Sequence, residues 1–400
     1  MTGLITYRRS STNITSTARK ALQQLRTQAI RASVAIALAT CTFAAAADIV
    51  VGQVAPLSGV LASTGRDMVL GARVYFDHVN ANGGIHGNRI NHVVLDDGYK
   101  VDETVRLTQE LIDQRQAVAL IGFAGTANVG EVLKQGILEK GRIALVAPYT
   151  GGEALRKAEN RNIFHIRAGY ADEAEHMGDH LVTVGVRKIA VFHQNDGFGE
   201  AGRKGVEAAL AKRDLKLAAV ATYERNTDDV KTAIETIRKA DVGAVIMVSV
   251  NKSTAAFTKG YREAGGAAQL LNISVVDAGQ LVKLSSASAM HGLGISQVMP
   301  FPYSDTLAIT REFTRLFAKH GGPDATISYT NFEEFIGAKV LVEALRRAGP
   351  NPGPEKVLRA LETISNYDVG GFTVSFSPGN RVGSRYVEVT VIGRNGTLLR

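Results

Sequence analysis

Beyond its N-terminal segment, the sequence alternates short runs of β-branched residues with segments of helical periodicity, and this alternation restricts the possible folds most strongly. The run Ile49 to Val54 is typical of a strand. Apolar residues then recur at spacings of three and four, at Val69, Ala72, Phe76 and Val79, which places them on one face of a helix. Strands and helices that alternate in this way form parallel sheets joined by crossover helices, so the sequence predicts an α/β fold.

This pattern recurs as two successive series. The first continues with predicted strands at 90–95, 118–121 and 143–146 and helices at about 102–114 and 128–139. The second has strands at 188–193, 217–223, 244–248, 270–274 and 294–298 and helices at 172–184, 201–212, 228–240 and from 253. The remaining predicted elements are helices at 306–320 and 332–348 and strands at 372–376 and 386–391. They are too few for a third domain, so we expect two doubly wound lobes that share them.

The predicted division of the chain follows from these series. Residues 1–47 are expected to be a signal peptide that is removed. The first lobe comprises residues 48–167 and about 299–370, and the second comprises residues 168–298 and about 371–400. The chain therefore crosses between the lobes more than once.

The N-terminal segment has the three parts of an export signal. Six basic residues without any acid precede an uncharged, mostly small or apolar run at residues 32–47, which ends in four alanines. We expect cleavage after Ala47 or within the alanines before it, and therefore a periplasmic protein. The pair Arg8-Arg9 lacks the rest of a twin-arginine pattern and is interpreted as ordinary basic content.

Cys41 is the one cysteine of the sequence and lies inside this export segment. A bacterial lipoprotein box prefers a smaller residue than Thr40 before its cysteine, so lipid anchoring at Cys41 is the minor alternative. Cleavage near Ala47 leaves a mature chain without cysteine. Neither a disulfide nor a thiolate metal site is then expected.

The formal net charge of +8 is concentrated in the export segment. Residues 48–400 carry 40 basic and 38 acidic side chains, which leaves a net charge of only +2. Nucleic-acid binding is not expected, because it depends on a basic excess that neutralises phosphates.

Gly197, Gly199 and Gly202 match the GxGxxG pattern of dinucleotide-binding folds, and Glu224 follows at about the distance of the acid that binds the ribose. Such a site would make the protein a nucleotide-dependent oxidoreductase. Three residues, however, intervene between the predicted strand and the first glycine, where the pattern allows little slack. We therefore interpret these glycines as a turn that permits tight entry from strand to helix.

Two further patterns indicate chemistry only weakly. His176 and His180 are four residues apart on a predicted helix, a spacing that could hold a metal, but no third ligand is spaced to join them. Ser249 and Lys252 match the SxxK pattern of acyl-enzyme hydrolases, whose accompanying motifs are missing from the sequence. We predict no catalytic residues, no metal and no cofactor.

Polar or glycine-rich turns follow several predicted strands in both series. They lie at residues 56–59, 122–126, 148–152, 196–199 and 276–279. Open α/β sheets bind ligands at this edge, where the N–H groups of helix N-termini attract anions. Two lobes whose edges face each other would form a cleft that closes on a small solute.

Residue matches along the mature sequence are similar to those of a known family. They lie at residues 49–59, 71–73, 80–87, 96–97, 121–122, 164–167, 195–199 and 337–341. In order and spacing they resemble the type I periplasmic solute-binding proteins of ABC transporters, in the leucine/isoleucine/valine-binding family. The resemblance implies two doubly wound parallel-sheet lobes joined by a three-strand hinge, with the ligand cleft between them. It also implies that the protein captures an amino acid or related small carboxylate and delivers it to an inner-membrane ABC permease without catalysis.

The resemblance also implies which residues contact the ligand carboxylate. The turn after the third strand would supply the hydroxyl of Thr126, where Ser is commoner in the family. The next turn would add donors from Tyr149, Thr150 and Gly151. Tyr149 is larger than the small residue that the family pattern favours, so the resemblance does not predict the volume of the pocket.

The rest of the ligand would meet four other residues. By similarity, Phe198 covers the ligand without donating a hydrogen bond, and Asp277 is the nearest match to the acid that accepts an ammonium group. Thr64 and Ser58 fall in the first-lobe segment that reaches the ligand side chain.

Three questions stay open from the sequence. The same fold serves as a ligand-sensing partner of membrane receptors, and the sequence does not separate that role from transport. Asp277 decides between amino acids and plain carboxylates such as aromatic acids, because an ammonium partner left unfilled in a closed cleft costs about 1–3 kcal/mol. Nothing in the sequence demands an oligomer, so a monomer is expected.

Overall fold

A computed structural model of the chain describes residues 48–400 and, before them, only residues 3, 6 and 21. The predicted signal peptide and the alternative lipid attachment at Cys41 lie outside these described residues. Within the described part of the chain, no helix is both long and apolar enough to cross a membrane.

Five parallel strands form the first sheet, in the order β2-β1-β3-β4-β5. They are β1 (Ile49–Ala55), β2 (Ile90–Asp96), β3 (Ala119–Ile121), β4 (Leu145–Val146) and β5 (Ile163–Phe164). The strand order reverses between β1 and β3. The carboxyl ends of these two strands are therefore the switch point at which sheets of this kind bind ligands.

The second sheet repeats this order in its parallel part. Its strands are β6 (Ile189–Gln194), β7 (Ala219–Tyr223), β8 (Ala244–Val248), β9 (Gln269–Asn272), β10 (Gly294–Gln297), β13 (Glu388–Ile392) and β14 (Leu398–Leu399). They lie in the order β14-β13-β10-β9-β8-β6-β7, with β13 and β14 antiparallel to their neighbours. The intervening strands β11 (Tyr367–Asp368) and β12 (Thr373–Val374) form a separate antiparallel pair.

Helices pack on both sheets, and we call each sheet with its helices a lobe. The first lobe contains α1 (Ala62–Ala81), α2 (Val101–Asp113), α3 (Thr126–Lys134), α4 (Ile137–Lys140), α11 (Ala308–His320), α12 (Tyr329–Ala348) and α13 (Pro354–Glu362). The second lobe contains α5 (Tyr170–Thr183), α6 (Gly197–Ala211), α7 (Lys231–Ala240), α8 (Asn251–Glu263), α9 (Ala278–Leu284) and α10 (Ala287–Met290).

Residues of one strand enter different hydrophobic clusters. Ile49 and Val51 of β1 pack in the cluster that contains residues of α1 and α12, whereas Val54 packs in the cluster that contains residues of α2 and α3. Burial on both faces explains why the parallel strands are continuous apolar runs. The two doubly wound parallel sheets confirm the predicted fold class.

The chain passes between the lobes after β5, after β10 and before β13. The lobe boundaries given above stay a prediction. Phe372, Val374 and Phe376 pack in a cluster of the first lobe. This packing favours a last crossing somewhat later than the predicted position near residue 371.

Several predicted elements have different bounds in the structure. The helix predicted at 128–139 is two helices, α3 and α4, because Gly136 between them adopts a φ of +65°. The strand predicted at 372–376 is reduced to the two residues of β12. Helices α9 and α10 were absent from the predicted elements, since each is too short for helical periodicity to be visible.

Candidate functional site

A cavity lies where the carboxyl ends of strands from the two sheets meet, and it has about 270 Å³ of empty space. Its wall residues are Leu61, Tyr99, Gly125 and Tyr149 from the first lobe and Tyr170, Phe198, Val250 and Val275 from the second. A solute in this cavity would contact both lobes and thereby stabilise their closed arrangement.

The topology explains why these residues meet. The four wall residues of the first lobe follow β1, β2, β3 and β4 in turn. Three of those from the second lobe follow β6, β8 and β9, and Tyr170 is the first residue of α5. Both sheets therefore present their switch points to the cavity, which is the edge at which open α/β sheets bind ligands.

Two threonine hydroxyls and a helix N-terminus lie beside the cavity. Thr126 is the first residue of α3 and follows Gly125, whose φ of +98° favours glycine. The hydroxyl oxygens of Thr126 and Thr150 are 2.7 Å apart, and both side chains are buried. These hydroxyls and the N–H groups of the first turn of α3 are donors of the kind that bind a carboxylate.

Tyr170 completes the same corner from the second lobe. Thr150, the backbone of Gly151 and Thr126 lie close enough to its phenol to act on its pKa, which they lower. Burial raises the pKa of the Tyr170 phenol, so the group stays a proton donor. A Cβ on Gly151 would lie 2.5 Å from the Tyr170 ring, so this close approach requires glycine.

Tyr149 connects the two lobes through its hydroxyl. The hydroxyl donates to the carbonyl oxygen of Ser274 at 3.3 Å and is 3.1 Å from the hydroxyl of Thr330. Burial raises the pKa of Tyr149, and the guanidinium of Arg167 lies 4.7 Å from its ring centroid. Because its hydroxyl is already hydrogen-bonded to the protein, Tyr149 offers a solute mainly its ring.

Tyr99 is a wall residue in an unusual backbone conformation. Its φ is +63°, a region that costs a bulky residue on the order of 1 kcal/mol or more. Its N–H donates to the carboxylate of Asp97 at 2.9 Å, and its hydroxyl accepts from Gln194 at 3.4 Å. Gln194 belongs to the second lobe, so contacts with both lobes hold Tyr99 in this conformation.

Arg225 of the second lobe packs on Tyr99 and bonds to the first lobe. Its guanidinium lies 3.7 Å from the Tyr99 ring centroid. One nitrogen, Nη2, donates to the Tyr99 carbonyl oxygen at 2.6 Å and to Oδ1 of Asn128 at 2.7 Å. The other, Nη1, pairs with Oδ2 of Asp196 at 2.5 Å. Arg225 therefore connects the two lobes through direct contacts of its side chain.

The predicted ammonium partner, Asp277, does not line the cavity. Its carboxylate caps α9 by accepting from the N–H of Gln280 at 2.9 Å, and burial raises its pKa. The charge of Asp277 also acts on the carboxyl group of Asp67, on α1 of the first lobe. Burial first, and the charge of Asp277 second, raise the pKa of Asp67 to about 7, although the hydroxyl of Ser328 donates to it at 3.0 Å and opposes the shift.

The raised pKa of Asp67 predicts a dependence of stability on pH. The native carboxyl keeps its proton up to about pH 7, whereas the unfolded one loses it near 4. The stability that protonation supplies is therefore complete at low pH and is lost as the pH rises through about 7. Asp67→Asn should raise the melting temperature relative to the wild type by about 2 °C or more at pH 8, and by less at pH 5.

Differential scanning calorimetry at both pH values tests this expectation. Asp113→Asn, at the exposed end of α2, is the matched control and should show no such pH-dependent difference. A gain for Asp67→Asn that is equal at pH 5 and pH 8 would contradict the proton-linked explanation.

The remaining predicted site residues divide into two groups. Phe198 lines the cavity, and its ring meets that of Tyr170 edge-on at a centroid distance of 5.6 Å. Thr64 is buried and accepts from the side chain of Asn251 at 3.3 Å, across the lobes but away from the walls. Ser58 is exposed, and its N–H donates to Asp96 at 3.3 Å. Of the predicted residues, Tyr149 and Phe198 line the cavity, and Thr126, Thr150 and Gly151 lie next to its wall residues Gly125, Tyr149 and Tyr170; Ser58, Thr64 and Asp277 are not among the wall residues.

The GxGxxG glycines lie inside α6 rather than in a loop before it. Asp196 caps this helix by accepting from the N–H groups of Phe198 and Gly199, so Gly197 is already its first residue. A Cβ on Gly199 would lie 1.8 Å from the carbonyl oxygen of Gln194, and one on Gly202 would lie 2.5 Å from Val248. Close packing of α6 against β6 and β8 therefore accounts for Gly199 and Gly202.

Gly199→Ala should reduce the free energy of unfolding by about 1–3 kcal/mol, because the new methyl group meets backbone that cannot move aside. Gly197→Ala is the matched control: its Cβ would lie 3.7 Å from Ala127, an ordinary contact, and stability should be unchanged or slightly higher. Urea unfolding measures both. Equal effects in the two variants would overturn the packing explanation.

Residues at the two other sequence patterns, the His176 and His180 pair and the SxxK match, make contacts with other side chains. Glu175 and Asp179, beside His176 and His180, both pair with Arg213. Among residues 48–400, no group of three or more His, Cys, Asp or Glu side chains is placed to hold a metal. The hydroxyl of Ser249 donates to the side chain of Asn272 at 2.9 Å, within the second sheet.

Sequence reasoning missed several residues of the site. Tyr99, Tyr170, Val250 and Val275 line the cavity, and Arg225 supports its wall. The sequence contained a signal for Tyr99, because it lies in the turn that follows β2, at the carboxyl edge of the predicted sheet. No signal existed for Arg225, whose partners Tyr99 and Asn128 lie about a hundred residues away.

Comparisons with known proteins agree with this architecture. The sequence profile of the family described as "Periplasmic binding protein" matches residues 48–397. The Leu/Ile/Val-binding protein homolog 8 of Brucella abortus is 25% identical over 380 residues, which cover 88% of this chain and 90% of that protein. An amino acid binding protein of Pseudomonas aeruginosa is 26% identical over 232 residues, and the match spans only 61% of its length.

Solved structures show the same fold. A substrate-binding periplasmic protein from Ralstonia solanacearum is 41% identical, with a TM-score of 0.84 over 88% of this chain and 99% of that one. A possible leucine/isoleucine/valine-binding protein from Rhodopirellula baltica is 26% identical, with a TM-score of 0.83 over 90% of this chain and 98% of that one.

Proposed function

Because the chain belongs to the periplasmic binding protein family, we propose that it captures a small carboxylate, an amino acid or a related acid, by closing its two lobes on it. We further propose that it delivers this solute to an inner-membrane ABC permease, without catalysis and without a cofactor. The observation that carries the proposal is the cavity between the lobes, whose walls come from both switch points.

The hydroxyls of Thr126 and Thr150 support the carboxylate part of the proposal. They lie 2.7 Å apart beside the cavity, at the N-terminus of α3. A carboxylate that replaces this bond between the threonines, and accepts from both hydroxyls and from the first N–H groups of α3, would also interact favourably with the helix dipole. The ring of Phe198 would then cover the body of the ligand.

Closure is supported by the packing between the lobes. Leu61, Met68 and Tyr99 of the first lobe belong to the same hydrophobic cluster as Phe198 and Val248 of the second. A solute that adds contacts to both lobes shifts the equilibrium towards this closed arrangement by its differential affinity for it. Closed and open lobes are also what a permease could distinguish.

A thermal-shift screen of the purified protein against amino acids, aromatic acids, aliphatic acids and dinucleotides tests the function. A ligand at 100 times its Kd stabilises a protein by about 2.7 kcal/mol, which should raise the melting temperature by several degrees. A shift with dinucleotides alone would contradict the proposal and favour an oxidoreductase. If none of the small acids raises the melting temperature, the proposed function has no support.

Thr126→Val and Thr150→Val test the carboxylate site. Each should weaken the binding of the best acid from the screen about tenfold, because each removes a hydroxyl donor from a buried anion. Isothermal titration calorimetry measures the Kd. Thr236→Val, at an exposed position on α7, is the matched control and should leave the Kd unchanged. Unchanged affinity in both cavity variants would refute this assignment of the carboxylate site.

A further inference from the structure

We propose that the ligand is a monocarboxylate with an uncharged apolar body, aromatic or branched aliphatic, that carries no ammonium group beside its carboxylate. This inference rests on the proposed capture of a small carboxylate and narrows that class. It comes from the distribution of charge around the cavity.

The cavity walls suit an apolar body. Four of the eight wall residues are aromatic and three are aliphatic, and none of these eight described residues carries a charge. The charged groups that stack on the rings of Tyr99 and Tyr149 are the guanidiniums of Arg225, at 3.7 Å, and Arg167, at 4.7 Å. An ammonium group in the cavity would approach these two cations instead of a carboxylate.

The acids next to the second-lobe walls already have partners. Asp277, two residues after Val275, accepts from the N–H of Gln280 at 2.9 Å. Asp196, two residues before Phe198, caps α6 and pairs with Arg225 at 2.5 Å. Asp196 would have to leave Arg225 to reach an ammonium group, and the lost bonds would offset the gain; Asp277 is not among the wall residues.

Two buried acids near the other walls, Asp97 and Glu173, are engaged in the same way. Asp97 accepts from the hydroxyl of Thr104 at 2.5 Å and from the N–H of Tyr99 at 2.9 Å. Glu173 accepts from the N–H of Ser274 at 2.7 Å. These bonds hold both acids within the protein, and none of the eight wall residues supplies a counter-charge for a cation.

A groove outside the cavity contains two further acids. It has about 720 Å³ of empty space, and its lining includes Thr126 and Gly197. Glu200 in this groove pairs with Arg203 at 2.5 Å, and Glu153 accepts from the N–H of Ala171 at 3.2 Å. Glu153 is exposed, so water would screen its attraction for an ammonium group.

Two matched pairs of probes test the inference: 3-phenylpropanoate with L-phenylalanine, and 4-methylpentanoate with L-leucine. The members of each pair share their carbon skeleton and differ by the ammonium group. Calorimetric titration should give a Kd at least tenfold lower for the ammonium-free member of a pair that binds, about 1.4 kcal/mol in binding free energy. Equal or tighter binding of the amino acid overturns the inference and leaves the proposed capture of carboxylates intact.

A designed acid gives a second and independent measurement. Val275→Asp places a carboxylate in the cavity wall, and Val275→Asn is its isosteric control. Relative to Val275→Asn, the aspartate should shift the preference towards the amino acid of the pair by at least tenfold. If the preference does not shift, the absence of a carboxylate from the cavity wall does not set the preference, and the inference is overturned.

The two levels of the proposal fail differently. If neither member of either pair binds and no other small acid in the screen does, the proposed function fails, and the narrower inference fails with it. If amino acids bind more tightly than their ammonium-free partners, only the narrower inference fails.

Discussion

Replacing Arg167 with methionine is expected to reduce the free energy of unfolding by about 3–5 kcal/mol, because it removes one partner of a buried ion pair. Arg167 is fully buried, and its Nε lies 3.6 Å from Oε1 of Glu333. Its Nη2 also donates to the hydroxyl of Ser274 in the second lobe. The residue therefore lies where the chain first passes between the lobes and bonds to both of them.

The pKa shifts around Arg167 explain the size of this effect. Burial is the largest influence on Arg167 and would lower its pKa, but the charges of Glu333 and Glu173 outweigh it and raise the pKa. Burial raises the pKa of Glu333 to about 7, although Arg167 opposes this shift. Without the guanidinium, Glu333 would be buried without its ion pair, and it would have to take up a proton or draw in water.

Urea unfolding of Arg167→Met, Glu333→Gln and the double variant measures the coupling between the two side chains. The double variant should be more stable than the sum of the single losses predicts, since neither charge is then left alone. Arg187→Met, at an exposed position in the second lobe, is the control and should change stability by no more than about 0.5 kcal/mol. Additive losses, or a loss below about 1 kcal/mol for Arg167→Met, would contradict the ion-pair account.

Arg225→Ala is expected to weaken ligand binding by about 10- to 100-fold and to shift the ligand-free protein towards open lobes. Arg225 donates from the second lobe to the Tyr99 carbonyl oxygen at 2.6 Å and to Asn128 at 2.7 Å, both in the first lobe. Hydrogen bonds that involve a charged group contribute about 1.5–3 kcal/mol each. Losing them disfavours the closed state, and the apparent affinity falls with its population.

Two measurements separate this effect from simple loss of a ligand contact. Small-angle X-ray scattering should show a larger radius of gyration for ligand-free Arg225→Ala than for the wild type. Calorimetry with the best acid from the screen should show the weaker Kd. Lys216→Ala, exposed on the same lobe, should change neither. A weaker Kd with an unchanged radius of gyration would mean that Arg225 acts on the cavity wall alone, through its stacking on Tyr99.

The local parts of the site could be predicted because they depend on short stretches of chain. A threonine at the start of a helix after a glycine-rich turn, as at Thr126, offers hydrogen-bond donors wherever that helix lies. The turns that contain Phe198 and Tyr149 were predicted from their positions after strands at the carboxyl edge of a sheet, and the roles of the two residues were implied by the family resemblance. Asp277 was named by similarity to a ligand-binding acid, and the structure adds that its carboxylate caps α9. Its contact with a ligand stays a prediction.

By itself, the sequence determined the α/β class, the two doubly wound lobes and the family. The class and the lobes depend on the alternation of apolar strands with amphipathic helices, and the family was indicated by residue matches along the chain; all are properties of neighbouring residues. Only the tertiary structure decided which turns share a cavity and which charges stack on its rings. The contacts of Arg225 with Tyr99 and of Tyr149 with Ser274 join residues more than a hundred positions apart, and they depend on how closely two folded lobes approach each other.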